Sequence, residues 1–160
     1  MTKYHMRRTE REITDRAQFV AILQGGRYAV LSLCRGSEPY IVTMNYGYDE
    51  TRNALYFHCS PDGLKIDFIR DNSAVCGTVI EDKGYIQGEC AHAYRTVVFW
   101  GKMHIIEELD EKKHAMQVML CQLEDDPDEI RRKSLQDDKA YERLGILRLD
   151  VQEISGKQGR

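Results

Sequence analysis

The sequence predicts a mainly β protein, a six- or seven-stranded and mostly antiparallel barrel with a few helices on its outside. Three observations carry this. Apolar runs at Arg27–Cys34, Pro39–Tyr48 and Ala54–His58 are separated by short polar turns. Short turns join antiparallel neighbours, because a parallel return needs a long crossover. A further long run, Ala93–Glu107, carries Gly101 in its middle, as expected of a strand that bulges or bends around a barrel. Helical patterns sit only between or outside these runs, which suits helices packed on a barrel's exterior.

In chain order, residues 1–13 read as an extended arm rich in Arg and Glu, either disordered or tied down against a partner subunit. Asp15 then caps a helix to about Gln24, with Phe19, Ile22 and Leu23 on its apolar side and Gly25-Gly26 ending it. Arg27–Cys34 is apolar on both faces, the pattern of a strand covered on each side. Pro39–Tyr48 alternates, with Tyr40, Val42, Met44, Tyr46 and Tyr48 on one face and Ile41, Thr43, Asn45 and Gly47 on the other. After Ala54–His58 and a short helix, Ser73–Glu81 forms a fourth strand, Asp82–Ala91 a loop, and Ala93–Glu107 the long strand. Asp110 starts a helix through Cys121, Glu124–Asp138 is a charged surface excursion, and LGILRLDVQEI closes the sheet before a polar tail at residues 155–160. No internal repeat or long linker divides the chain, so residues 1–160 are expected to form one domain.

Composition narrows the function classes. The net charge of −3 and the lack of a long basic block argue against nucleic-acid binding. The polar start, MTKYHMRRTEREITDR, has no apolar signal region. No apolar run approaches the ~20 residues that cross a bilayer, so the expected location is cytoplasmic and away from membranes. The cysteines Cys34, Cys59, Cys76, Cys90 and Cys121 are odd in number and scattered, which fits reduced thiols. Cys59, Cys90, His58, His92 and His104 lack the paired spacing of a metal site, and no metal is expected.

The stretch LYFHCSPDGLKIDFIR, Leu55–Arg70, carries the most chemistry. It reads as a strand running through a turn into a helix, with Ser60 as N-cap and Pro61 at the first helical position. Such a helix start presents free N–H groups and partial positive charge to an anion. Lys65 adds a full charge, His58 and Ser60 add hydrogen-bonding groups, and Gly63 permits close backbone approach. Cys59 beside the helix start is a candidate for a lowered thiol pKa. The same segment also reads as an ordinary structural corner with a solvated lysine.

Five pieces, REITDRAQFVAIL, PYIVTMNYGYD, LYFHCSPDGLKIDFIRDNSAVCGTV, YRTVVFWGKMHIIEE and LRLDVQEISGK, occur in one order. Together they resemble the flavin-binding split-barrel proteins related to pyridoxamine 5′-phosphate oxidase, and within them the nitroimidazole-resistance-type branch. The resemblance runs from about Arg7 to Lys157. It implies a split β-barrel homodimer holding flavin mononucleotide (FMN) at the subunit interface. The strand Thr43, Met44, Asn45, Tyr46 corresponds to the one offering backbone groups to the flavin ring edge. His58, Cys59, Ser60, Gly63 and Lys65 correspond to the phosphate-binding corner. Arg95, Thr96 and Val97 lie in the strand carrying polar contacts to the flavin or its ribityl chain, and Arg95 reads equally as an ion-pair partner. Trp100 is a candidate to stack near the ring from the partner subunit, or an ordinary core residue. The chain departs from the oxidase proper at the corner, where Asp62-Gly63-Leu64-Lys65 replaces a Ser-Arg-Lys-type run. It also has no evident equivalent of the oxidase's C-terminal Trp and Arg substrate contacts, which argues against vitamin B6 phosphate oxidation.

The resemblance implies an FMN-dependent oxidoreductase acting on small electron-poor compounds, nitro-aromatic ones included, with NAD(P)H as donor. No side chain is singled out as a catalytic acid, although His58 is the candidate nearest the site. A flavin carrier without catalysis, or a haem-binding or haem-degrading protein on the same barrel, are the alternatives.

Overall fold

A computed structural model describes Met6–Gly159. A single 3-10 turn at Thr9–Arg11 leads into β1 (Glu12–Ile13), α1 (Arg16–Gly25), β2 (Tyr28–Arg35), β3 (Glu38–Asp49) and β4 (Ala54–Cys59). Then follow α2 (Leu64–Asp71), β5 (Ala74–Ile86), β6 (Ala91–Ile106), α3 (Leu109–Leu123), α4 (Pro127–Ser134), α5 (Asp138–Glu142) and β7 (Gly145–Gln158). Every strand pairing is antiparallel. The sheet order is β1-β7-β4-β3-β2-β5-β6, and β6 pairs back onto β7 to close the barrel. Closure pairs most of the edge length that would otherwise invite pairing with other chains.

Local signals explain several boundaries. The Asp15 carboxylate accepts from the Ala17 N–H at 3.0 Å and starts α1 as expected. The Glu108 carboxylate accepts from the N–H groups of Asp110 and Glu111 and starts α3. The register of β6 against β7 shifts between Trp100 and Gly101, but the extra residue is Gln152 of β7, so Gly101 lies opposite the bulge rather than forming it.

Other expectations are corrected. Asp82–Ala91 is mostly strand rather than loop, because β5 and β6 continue as a hairpin past an irregularity between Asp82 and Tyr85. The expected polar tail is strand to Gln158. Its polar residues are ordered by backbone pairing with β6 on one side and β1 on the other. The arm ends pinned to its own chain, Ile13 opposite Gly156, while residues 1–5 lie outside the described residues. The charged excursion contains a true helix, α4, capped by Asp126 with Pro127 in its first turn.

Two hydrophobic clusters result. Leu31, Tyr46, Phe57, Phe68, Phe99 and Leu149 belong to the barrel interior. Burying a side chain such as Phe or Leu stabilises the fold by about 1.5–3 kcal/mol each. The second cluster seats α3 on the barrel's outside, with Met116, Met119 and Leu120 against Tyr56 and Ile146. Gly47 makes that seat possible, since a Cβ there would lie 2.7 Å from the Met119 Cα. Among the described residues, no helix is long and apolar enough to cross a membrane.

Candidate functional site

Strand alternation sorts the candidate residues into two sets. On β3, Met44 and Tyr46 point into the core, whereas Thr43 and Asn45 are exposed on the outer face. The Tyr46 hydroxyl donates to the Leu23 carbonyl at 2.6 Å, and burial pushes its pKa well up. Met44, Tyr46 and the likewise buried Val97 can therefore meet a ligand only through backbone groups.

The backbone edge of β3 is available for such contact. β4 pairs with β3 only between Tyr46 and Asp49 before turning away into α2. The remainder of β3 pairs with β2 alone, which leaves its other edge without a strand partner up to Asn45.

Cross-strand register places further groups beside Thr43 and Asn45. Thr43 is opposite Val30, Val30 opposite Thr78, and Thr78 opposite Val98. Directly opposed residues share a face, so this row spans four strands of the outer surface. Thr78 and Thr96 join their hydroxyls at 3.0 Å within the same surface. Tyr28, Ile41 and Ile80 flank it and are 59%, 66% and 58% exposed. This overturns the expectation that β2 is covered on both faces, because no other described element packs over its outward side chains. Sequence reading missed Thr78 and the three apolar residues, since exposure is a property of what fails to pack over them.

Arg95 stands apart from Thr96. Neighbours along a strand face opposite ways, and Arg95 sits opposite Glu81 in the register. The Glu81 carboxylate accepts two hydrogen bonds from that guanidinium, one from Nη2 at 2.8 Å and one from Nε. The pair holds the Glu81 carboxyl down to about 2. Trp100 is half-buried and faces outward opposite Cys76, one step beyond the threonine row.

The corner after β4 differs in detail from the sequence reading. Ser60 does not cap α2; its hydroxyl accepts from the Asp62 N–H at 3.4 Å within the turn. Pro61 belongs to that turn. Gly63 is the N-cap, at a φ of +123° that side-chain-bearing residues rarely adopt, and it brings no capping side chain. The first N–H groups of α2 are thus left uncapped by any side chain. Lys65 sits one residue inside the helix and makes no ion pair among the described residues. Burial raises the Cys59 thiol pKa, with the Lys65 charge only partly opposing it. The expected lowering is therefore reversed.

His58 is exposed at the end of β4, makes no hydrogen bond among the described residues, and has its pKa lowered by desolvation. Desolvation thus favours its neutral form. It lines a cavity of about 490 Å³ together with Asn45 and the apolar side chains of α3 and α4. Among the described residues, no group of three or more His, Cys, Asp or Glu side chains gathers into a metal site, and all five cysteines are free thiols.

Comparison with known proteins bears on this arrangement. The family model described as pyridoxamine 5′-phosphate oxidase matches residues 15–158. A proposed 5-nitroimidazole antibiotic resistance protein from Bacteroides thetaiotaomicron shares 25% identity at a TM-score of 0.77, covering 92% of this chain and 86% of its own. An FAD-binding protein from Mesorhizobium loti shares 21% identity at a TM-score of 0.67, covering 94% and 98%. A flavocytochrome from Azotobacter vinelandii superposes with a TM-score of 0.82 at 19% identity, covering 98% of this chain and 73% of its own. Comparison with curated proteins returns no match.

Proposed function

The chain belongs to the pyridoxamine 5′-phosphate oxidase family, and on that premise we propose that it is an FMN-binding oxidoreductase. In this reading it works as a homodimer and reduces small electron-poor compounds, nitro-aromatic ones among them, with NAD(P)H as donor. The observation that carries the reading is the outer sheet face, where polar groups and an apolar border share a surface that no other described element covers. Thr43, Asn45, Thr78 and Thr96 supply the polar groups, and Tyr28, Ile41 and Ile80 supply an apolar border.

The residues present fit this cofactor at each end. Lys65 and the uncapped first turn of α2 suit a phosphate, the lysine as a point charge and the N–H groups as directed donors. The unpaired backbone edge of β3 up to Asn45 suits the hydrogen-bonding edge of a flavin ring. The exposed Thr43 hydroxyl suits a polyol chain, whereas those of Thr78 and Thr96 bond each other and the Val97 and Val79 carbonyls and can offer only acceptor capacity. When bound, the flavin supplies the hydride and electron chemistry, and the protein's part is to hold and orient it. Coverage by a second copy would exclude water from the apolar border, which a single chain leaves exposed.

The relative from Bacteroides thetaiotaomicron supports the choice of electron-poor substrates, and the departures at the corner argue against vitamin B6 phosphate. The test is the absorbance spectrum of freshly purified protein, followed by anaerobic addition of NADH or NADPH. Flavin bands that bleach with either donor are expected. Persistent bands indicate a carrier, and a colourless protein that refuses added FMN removes the proposal.

A further inference from the structure

The geometry points to a second, distinct ligand site, the cavity between α3, α4 and the β3–β4 end of the barrel, shaped for a neutral, flat, ring-bearing compound. The inference deepens the flavin reading, because Asn45 and His58 form the end of the cavity nearest the open sheet face.

Size and lining identify the cavity as a binding pocket. At about 490 Å³ it falls within the range of roughly 300–1,000 Å³ that holds small molecules. Its wall is Met116, Met119, Leu120 and Leu123 of α3, with Ile130 and Leu135 opposite. Methionine thioethers are polarizable and adaptable, and they make favourable contacts with aromatic rings. The wall is thus suited to a flat ring and offers little to a polyol or a phosphate.

The polar end fixes the charge class. The Asn45 amide nitrogen already donates to the Arg27 carbonyl at 2.9 Å, which leaves its oxygen as an acceptor without a partner among the described residues. The His58 imidazole has no partner among the described residues, and desolvation favours its neutral form. Arg27 is tied by its guanidinium to the Leu123 carbonyl at 3.0 Å, and Glu124 is the one carboxylate in the same lining. The lining thus carries one cation and one anion and no net charge, so a charged ligand gains no net attraction for the hydration it loses. A neutral ring with one polar substituent satisfies the wall and the polar end together.

The roof allows entry. None of the residues of α4 is fully buried, whereas α3 is anchored by Ala115, Met116, Met119 and Leu120. Opening at α4 leaves the barrel undisturbed. A ligand seated here lies beside Asn45 and His58, which places it next to a cofactor held on the outer face.

The test uses the full chain as purified and prodan, a neutral naphthalene ketone whose emission shifts to the blue in apolar surroundings. Saturable binding with a blue shift is expected. Two variants fill the pocket from opposite sides, Leu120→Trp from α3 and Ser134→Trp from the exposed position on α4. Each is expected to weaken prodan binding by about tenfold or more while flavin absorbance per chain stays constant. Ser134→Trp keeps the test valid if the buried substitution prevents folding. His58→Ala is expected to weaken prodan less than either. Failure of the wild type to bind prodan overturns the site, as does equal binding by Ser134→Trp. Loss of flavin and prodan together in Ser134→Trp overturns the separateness of the pocket. A flavin-free wild type that still binds prodan, and loses it in Ser134→Trp, supports the pocket and removes the flavin reading instead.

Discussion

Glu81 and Arg95 face each other across the β5–β6 hairpin, and the carboxylate holds the guanidinium through two hydrogen bonds. The pair decides how far Arg95 can serve a ligand, because a guanidinium already engaged by a carboxylate must release it or share it. It also sets an acid dependence. The folded pKa of Glu81 is depressed from 4.5 to about 2. Its stabilisation is therefore fully present above the unfolded value and is lost as pH falls from 4.5 through about 2. Both side chains reach solvent, so the magnitude is that of an exposed pair, about 0.2–1 kcal/mol. Denaturant unfolding of wild type and Glu81→Gln is expected to differ at pH 6 and to converge near pH 2. A gap that persists unchanged at pH 2 would assign the effect to packing.

Lys65 carries the phosphate prediction. Lys65→Ala is expected to weaken FMN by about 1.5–3 kcal/mol, the size of a charge-assisted hydrogen bond, and riboflavin hardly at all. Titration by flavin fluorescence quenching measures both. Equal losses for the two ligands would mean that Lys65 does not touch the phosphate. Because Arg95 is already paired, Arg95→Ala is expected to cost FMN less than Lys65→Ala does.

Ile41 tests the homodimer. It is the most exposed of the three large apolar residues on the outer face, and it lies opposite Ser32 within the four-strand surface. A charge buried there without a partner opposes association. Ile41→Glu is expected to shift sedimentation from dimer toward monomer and to release flavin with it. Wild type that sediments as a monomer with full flavin content would remove the interface site.

Gly47 controls the seat of α3. A Cβ would meet the backbone of Met119 and Val118 at 2.7–2.8 Å, and helix backbone cannot step aside as a flexible side chain can. Gly47→Ala is expected to destabilise the fold by about 1–3 kcal/mol, the usual cost of overpacking. Thermal unfolding measures it, and an unchanged midpoint would show that α3 shifts freely.

Tyr46 probes the barrel end beneath the same helix. Tyr46→Phe removes the hydrogen bond to the Leu23 carbonyl, but the Gln122 side-chain amide also donates to that carbonyl at 3.1 Å. The acceptor keeps a partner, so the expected cost is about 0.5–1.5 kcal/mol, a net hydrogen bond. A loss well beyond that range in urea unfolding would show that Gln122 does not compensate.

The sequence by itself determined the features written in near neighbours. Asp15 two residues before Ala17, the alternation along Pro39–Tyr48, Gly101 within a long strand and Lys65 just after a turn are each read from a few consecutive residues. Their physics is local, namely capping, pleat and backbone freedom, so the barrel and the corner were legible. Only the tertiary structure decided which groups meet across long separations. Glu81 claims Arg95 from another strand, α3 covers the outer face only from Gly47 onward, and burial rather than the helix start sets the Cys59 thiol. Gly63 took the N-cap position expected of Ser60 because the conformation of the turn, not residue preference, fixes where α2 begins. The open face and the cavity beside His58 exist because elements distant in the chain stop short of one another, and no short stretch of sequence encodes where packing ends.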